Sequence, residues 1–143
     1  MNTKTLIAFI CCLAGLIASA NTQSTYRDSM GRNKGTSSTS GNYTTYRDRQ
    51  GRLQATARTD SSRNSTTYRD SMGRLQATSR TDSRGHTTYR DAQGRLQATA
   101  TTDSSGKITY RDSQGRLMGT ATKDASGRVT YRDSMGRLRG TKK

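Results

Sequence analysis

Apolar and polar residues alternate along most of this chain, and short turn signals separate the alternating stretches. In residues 95–102, RLQATATT, every second position from Leu96 through Ala98 to Ala100 is apolar, and polar residues fill the positions between. Residues 107–112, KITYRD, alternate in the same way. Successive side chains of a strand point to opposite faces, so each stretch predicts a β-strand with one buried face.

The turn signal between these stretches is Asp, two further residues, and Gly. It occurs at residues 91–94 and again at residues 103–106. An Asp side chain caps a tight turn, and Gly adopts the positive φ that closes it. One repeating unit therefore contains two strands and two turns.

The unit recurs six times, starting near residues 25, 45, 67, 88, 109 and 130, with tyrosine spacings of 20, 22, 21, 21 and 21 residues. A period of this size predicts a repeat architecture in which neighbouring units bury what no single unit can. We therefore expect residues 21–143 to form one all-β repeat domain, either a β-solenoid or an elongated stack of hairpins.

The odd repeat length bears on the choice between these two architectures. If both turns closed with the same spacing, an odd repeat of 21 residues would move equivalent side chains to the opposite face of the sheet in every successive unit. A hairpin meander then requires two turns that close differently, whereas a coil requires no such condition. The sequence favours the coil, with the meander as the alternative.

Alternation assigns columns of equivalent side chains to the two faces. Two columns are expected to point inward: Leu53, Leu75, Leu96, Leu117 and Leu138, and the repeat tyrosines Tyr26, Tyr46, Tyr68, Tyr89, Tyr110 and Tyr131. The glycines expected to close the first turn of each unit are Gly31, Gly51, Gly73, Gly94, Gly115 and Gly136.

Two arginine columns are expected to point outward. The first column is Arg27, Arg47, Arg69, Arg90, Arg111 and Arg132. The second column is Arg32, Arg52, Arg74, Arg95, Arg116 and Arg137. A regular cationic face of this kind fits a repeating anion, so these arginines are the candidate polyanion-binding residues.

The first 20 residues have the pattern of a cleavable secretory signal peptide. Lys4 precedes the apolar run LIAFICCLAGLIA, and the small residues Ala18 and Ala20 end the segment, which predicts cleavage after Ala20. Cys11 and Cys12 lie within the segment, so the mature chain is expected to lack thiols and disulfides. The expected location is secreted, periplasmic or cell-surface, with no transmembrane segment in the mature chain.

The mature chain is strongly basic. Without Lys4 it retains 24 Lys and Arg against 10 acidic residues, all of them Asp, for a net charge of +14. Lipopolysaccharide, acidic polysaccharide and extracellular DNA are the expected partners, and pairing of open sheet edges predicts a homo-oligomer. The alternative explanation of the charge is that it keeps a polar β-protein soluble.

Catalysis, cofactors and metals find no support in the sequence. The mature chain has no Cys or Glu, and its single histidine, His86, occupies a turn position that holds Lys107 and Arg128 in later units. A serine nucleophile would lack a base, and no cluster has metal-ligand spacing. The recurring aspartates are explained by turn capping rather than by calcium. The alternating threonines do not form an ice-binding array, because Arg58 and Arg80 interrupt them.

The segment TYRDSQGRLMGTATKDASGRVTYRDSMGRL, residues 109–138, resembles the RHS or YD repeat. The resemblance implies β-hairpins assembled into long curved sheets, which in large members enclose a toxin cargo or form surface adhesion proteins. It implies a structural signature at Tyr110, Asp112, Gly115, Arg116 and Leu117. The layout of a signal peptide followed by short strand and turn units also resembles that of curli subunits.

Together these features predict a secreted structural or surface-interaction protein. It is expected to be a cationic β-repeat rod that binds anionic polymers of the cell surface or matrix and self-assembles. The alternative is a small secreted effector or inhibitor that acts on an envelope target.

Overall fold

The computed structural model describes residues 22–143, so the predicted signal peptide lies outside the described residues. Residues 22–143 form twelve β-strands and no helix. The strands are β1 (Thr22–Asp28), β2 (Asn33–Ser40), β3 (Tyr43–Asp48), β4 (Leu53–Asp60), β5 (Ser65–Asp70), β6 (Leu75–Thr81), β7 (His86–Asp91), β8 (Leu96–Thr102), β9 (Ile108–Asp112), β10 (Leu117–Lys123), β11 (Val129–Asp133) and β12 (Leu138–Lys142).

Each strand pairs antiparallel with the next along the chain, and β12 pairs antiparallel with β1. The described chain is therefore an up-and-down meander closed into a barrel. The all-β class and the repeated strand-turn units are confirmed. The favoured coil is wrong, because neighbouring strands are antiparallel hairpin partners rather than parallel rungs.

Two turns illustrate how the hairpins close. Gly94 donates its backbone N–H to the Asp91 carbonyl at 3.0 Å, and Asp91 donates to the Arg95 carbonyl at 3.0 Å. The second turn repeats both bonds: Gly106 donates to the Asp103 carbonyl, and Asp103 donates to the Lys107 carbonyl. Gly94 has φ +80° and Gly106 has φ +79°, which is a left-handed conformation that favours glycine. The two turns of this unit thus close with the same three-residue loop.

A β-bulge in each unit reconciles these equal turns with the odd repeat. Tyr89 lies opposite Ala98, but its neighbour Arg90 lies opposite Leu96, which leaves Gln97 as the extra residue of β8. The equivalent register shift occurs between β1 and β2, β3 and β4, β5 and β6, β9 and β10, and β11 and β12. The extra residue in each unit keeps equivalent side chains on the same face of the sheet from one 21-residue unit to the next. A meander can therefore form even where its two turns have the same length.

The bulge also moves the leucine column to the outer face. Because residues directly opposite each other share a face, Leu96 lies on the same side as Arg90. Leu75, Leu96, Leu117 and Leu138 are between 36% and 41% exposed. The predicted inner leucine column is therefore wrong. The prediction assumed strict alternation from Leu96 to Ala98, and the bulge residue Gln97 breaks that alternation.

Tyrosines and small residues fill the inside of the barrel. Tyr68 lies opposite Ala57 on one neighbouring strand and Ala77 on the other. Tyr110, which is 2% exposed, lies between Ala100 and Gly119 in the same way. Each large ring is thus flanked by small side chains at the same level, which lets the inner layer interdigitate. The repeat tyrosines are buried except for the half-buried Tyr46.

Differences in repeat length fall in the hairpin loops that follow the even-numbered strands. Ser40 pairs with Tyr43 across a two-residue loop, whereas Asp60 pairs with Ser65 across a four-residue loop. These loops account for the tyrosine spacings of 20 and 22, and the three-residue loops account for 21. Length variation therefore leaves the strand registers unchanged.

Candidate anion-binding surface

The six turns that follow the odd-numbered strands all lie at one end of the barrel, because the strands run up and down in sequence order. We call this end the arginine rim. It contains the six turn segments 28–32, 48–52, 70–74, 91–95, 112–116 and 133–137 together with the arginine that precedes each of them. The fold therefore brings both predicted arginine columns to the same rim.

Arginines of the first column are fixed by the turn that follows them. Arg90 donates from Nη1 to the Gly94 carbonyl at 2.8 Å, and the other five form the same bond at 2.8 to 2.9 Å. The bond spans four residues and joins the outer face of the strand to the glycine of the turn. Each of these guanidinium groups is consequently held in one orientation at the rim.

Arginines of the second column pair with the aspartate that opens their own turn. Arg116 donates from Nε to Asp112 Oδ2 at 2.6 Å. The equivalent bonds in the other five units measure 2.7 to 2.9 Å. The second carboxylate oxygen, Asp112 Oδ1, accepts the backbone N–H groups of Gln114 and Arg116 at 2.9 Å. The aspartate thus organises the whole turn, which explains its constant position in the unit.

These bonds lower the aspartate pKa values. The side-chain bond from Arg116 is the largest influence on Asp112 and lowers its pKa from the ordinary 3.8. At Asp28, partial desolvation raises the pKa, but the backbone and side-chain bonds from Arg32 outweigh it and the net shift is downward. The rim aspartates therefore remain ionised, and their charge is directed at the turn rather than at solvent.

Positive charge exceeds negative charge at the arginine rim. The two columns supply twelve arginines against six aspartates, one at the start of each turn. Second-column arginine side chains are 69% to 75% exposed, while the aspartates they contact are 12% to 21% exposed. The carboxylates thus point toward their own turns, and guanidinium groups form the surface that a ligand would contact.

The opposite rim has a different composition. Its hairpins use Asp60, Asp82, Asp103 and Asp124, and two of these form ion pairs with arginines, Arg63 at 3.7 Å and Arg128 at 3.1 Å. Ser126 donates its hydroxyl to Asp124 at 2.6 Å, and this bond is the largest of those that lower the Asp124 pKa to about 2. This rim repeats less regularly because its loops differ in length and sequence.

Sequence reasoning missed three residues near the rim that do not follow the repeat. Lys34 and Arg139 occupy the bulge position that holds Gln in three units, and Arg49 occupies a turn position that holds Ser in four units. Aligning the six units position by position, rather than by tyrosines alone, would have identified them.

Within residues 22–143, no group of three or more His, Cys, Asp or Glu is placed to hold a metal ion. In the same residues, no helix has the length and apolar character needed to cross a membrane. His86 lies at the end of a turn, where its backbone N–H donates to Asp82 Oδ1 at 2.9 Å. This bond is equivalent to the one that Lys107 forms with Asp103 in the next unit.

A family model described as RHS Repeat matches residues 90–129. Over these residues the chain is similar to the RHS/YD repeat. The matched region runs from the end of β7 to the start of β11 and therefore covers about two units of the barrel. RHS repeats are typical of cell-surface or secreted proteins.

No curated protein matches the chain. One similar solved structure is described as the crystal structure of a GtfA/B complex bound to UDP and GlcNAc. The sequences are 14% identical, the TM-score is 0.23, and the similarity covers 90% of this chain and 25% of that chain. This RHS-like chain thus spans about a quarter of the length of that chain.

The residues that carry the RHS resemblance have structural positions in the barrel. Tyr110 is buried, Asp112 opens the turn, and Gly115 closes it with φ +81°. Arg116 is the ion-pair partner of Asp112, and Leu117 lies outward beyond the turn. The RHS signature therefore describes one hairpin turn of the rim.

Proposed function

We propose that this RHS-like protein is an exported surface-interaction protein that binds anionic polymers through its arginine rim. The observation that supports the proposal is the convergence of both arginine columns at one end of the barrel. Acidic polysaccharide, lipopolysaccharide and extracellular DNA are the ligand classes, since each repeats negative charge along its length.

The structural role of the arginines is compatible with this function. A guanidinium group carries five N–H donors, and the turn bonds described above use only one of them in each arginine. Arg95 donates a second bond, from Nη2 to Gln93 Oε1 at 3.4 Å. Each arginine of the first column uses Nη1 for the glycine carbonyl, and each of the second column uses Nε for the aspartate. The remaining donors are available for carboxylate, phosphate or sulfate oxygens.

Repetition strengthens such an interaction. Six equivalent turns present the same donors around the rim, so a polymer bound at one turn meets further sites at high effective concentration. Prior fixation of the guanidinium groups lowers the entropy that is lost on binding. We therefore expect strong, salt-sensitive binding to long polyanions. A single anionic group should bind only weakly to most of the six turns.

The test replaces the complete first column, Arg27, Arg47, Arg69, Arg90, Arg111 and Arg132, in two ways. One variant carries Gln at all six positions, and the matched variant carries Lys. Both lose the guanidinium geometry at the turn, but only the Gln variant loses the charge. Circular dichroism of both proteins establishes whether the barrel is retained.

Retention on heparin, polygalacturonate and lipopolysaccharide is then measured as a function of salt. The Gln variant should elute at lower salt than the parent, and the Lys variant should elute close to the parent. Equal retention of a folded Gln variant and the parent would contradict the proposal. If the Gln variant does not fold, the same comparison is made with the three alternate positions Arg47, Arg90 and Arg132.

A further inference from the structure

A surface cleft of about 330 Å³ lies at the arginine rim between β2 and the turn that joins β3 to β4. It is lined by Lys34, Asp48, Arg49, Gln50, Arg52 and Gln54. The fold holds the two sides of the cleft together, because Gly35, next to Lys34, lies opposite Asp48 at the start of the turn. The bulge of one strand therefore faces the turn of the next.

Two of the cleft residues are cations that the repeat does not require. The bulge residue is Lys34 in β2, whereas it is Gln54, Gln76 or Gln97 in the next three units. The first loop residue of the turn is Arg49 here and Ser in four of the other units, at Ser29, Ser71, Ser113 and Ser134. Both departures from the repeat occur at the same cleft.

These two cations differ from the column arginines in their contacts. Arg52 donates from Nε to Asp48 Oδ2 at 2.8 Å, and Gln54 donates to the same oxygen at 3.2 Å. Among the described residues, the side chains of Lys34 and Arg49 form no hydrogen bond or ion pair with another residue of the chain. Three cations and one carboxylate line the cleft, so its formal charge is +2.

We infer that this cleft binds a sugar carrying a phosphate monoester, as a specific subsite on the polymer-binding rim. The inference rests on the function proposed above. A phosphate monoester carries about −1.5 to −2 charge at neutral pH, which matches the cleft, and a single carboxylate does not. The cleft is open to solvent, and its volume of about 330 Å³ exceeds the space that an isolated phosphate ion occupies, which leaves room for a sugar ring.

The lining residues suit the two parts of this ligand. The Arg49 guanidinium and the Lys34 ammonium supply donors for the phosphate oxygens. The Gln50 amide supplies a donor and an acceptor for sugar hydroxyls, and Asp48 keeps Arg52 and Gln54 in place through the bonds described above. The other five turns lack this combination, because none has a cation at both the bulge and the first loop position.

The test uses a double variant that restores the repeat. K34Q/R49S places at both positions the residues that other units already accommodate, so the barrel is expected to fold. The matched control is R84S/K123T at the opposite rim, which also removes two charges. Both new residues already occur at equivalent positions of other units. Residue 84 corresponds to Ser105 and Ser126, and residue 123 corresponds to Thr81 and Thr102.

Binding of glucose 6-phosphate, glucuronate and inorganic phosphate is measured by calorimetry on the parent and both variants at one low salt concentration. We expect the parent to bind glucose 6-phosphate more tightly than either other probe. K34Q/R49S should weaken that binding at least tenfold, and R84S/K123T should change it less than twofold.

Four results would overturn the inference: no binding of glucose 6-phosphate by the parent, equal weakening in both variants, equal affinity for inorganic phosphate, or equal affinity for glucuronate. Polymer retention separates this failure from failure of the broader proposal. If heparin retention persists without glucose 6-phosphate binding, the rim function stands and the subsite does not. If glucose 6-phosphate binds but no polymer is retained, the rim function fails.

Discussion

Gly140 in the last strand lies directly opposite Asp28 in the first. The same pairing occurs inside the chain, where Gly35 of β2 lies opposite Asp48 of β3. The preceding pair, Thr141 with Arg27, likewise repeats an internal pair. The barrel is therefore closed by the junction that joins successive units, except that no loop connects β12 to β1.

This equivalence predicts that a circular permutant will fold. The junction is completed by linking residue 143 to residue 23 through a copy of residues 39–42, and new termini are opened between Ser104 and Ser105 in an exposed loop. We expect a β-type circular dichroism spectrum and a melting temperature at or above that of the parent, because the seam becomes intramolecular. Loss of cooperative unfolding in the permutant would show that β12 and β1 do not form this junction.

The same seam bears on self-assembly. Edge pairing between chains, which the sequence predicts, requires the edges of β1 and β12, and these edges pair with each other in the barrel. We expect any homo-oligomer seen by size-exclusion chromatography of the parent to be reduced in the permutant.

A second prediction concerns the two apolar columns. Tyr110 is 2% exposed, whereas Leu117 is 41% exposed on the outer side of the same hairpin. Tyr110→Ala removes a buried ring and should lower the free energy of unfolding by about 3 to 5 kcal/mol. Leu117→Ala should lower it by about 1 kcal/mol or less. Urea unfolding of the two variants measures both values, and a larger loss for Leu117→Ala would place the leucine column inside.

A third prediction compares two single-residue deletions. Deleting Gln97 removes the bulge of β8 and forces the rest of that strand to exchange its faces. The deletion should abolish cooperative unfolding or lower the melting temperature by more than about 10 °C, which corresponds to a loss of folding free energy on the order of several kcal/mol. Deleting Ser61 shortens a four-residue loop to three residues. The shortened loop keeps Asn64, which already has a positive φ of 48°, at the position that Gly holds in other units.

The Ser61 deletion is the control, and it should change the melting temperature by only a few degrees. Thermal denaturation followed by circular dichroism measures both variants. Similar melting temperatures for the two deletions would mean that the bulge does not set the register.

A fourth prediction concerns acid. All ten aspartates have a lowered pKa in the folded protein, and that of Asp124 falls from the ordinary 3.8 to about 2. The unfolded chain therefore binds more protons than the folded chain in this range, and stability rises with pH. The contribution is complete above the unfolded pKa and is lost as pH falls through the folded values, so the melting temperature should drop between about pH 4 and pH 2.

Asp124→Asn provides a matched variant for this titration, because it removes one of the groups that titrate. Its melting temperature should be lower than that of the parent at pH 7, and the difference should narrow as the pH approaches 2. A parent protein that becomes more stable between pH 4 and pH 2 would contradict the assignment.

Local features of the chain followed from its sequence with few assumptions. The Asp-x-x-Gly signal predicted the turns because capping and positive φ are properties of four consecutive residues. The strands between them, and the inward orientation of a tyrosine such as Tyr110, followed from alternation over a few positions. The RHS resemblance lay in the same short segments.

Non-local features did not follow. Gln97 looks like any other polar residue of an alternating strand, and only its lack of a partner on β7 identifies it as the bulge that turns Leu96 outward. The bonds from Arg90 to Gly94 and from Arg95 to Asp91 likewise depend on how the hairpin folds back. Alternation gives each side chain a face relative to its neighbours in sequence, but not relative to the adjacent strand.

The sequence by itself thus determined the units of this protein: its turns, its strands, its excess of positive charge and its repeat. Tertiary structure decided that the units join as antiparallel hairpins, that β12 meets β1, and that both arginine columns share one rim with the Lys34 and Arg49 cleft. The physical reason is that turn and strand preferences depend on neighbouring residues, whereas register and closure depend on hydrogen bonds between residues far apart in the chain.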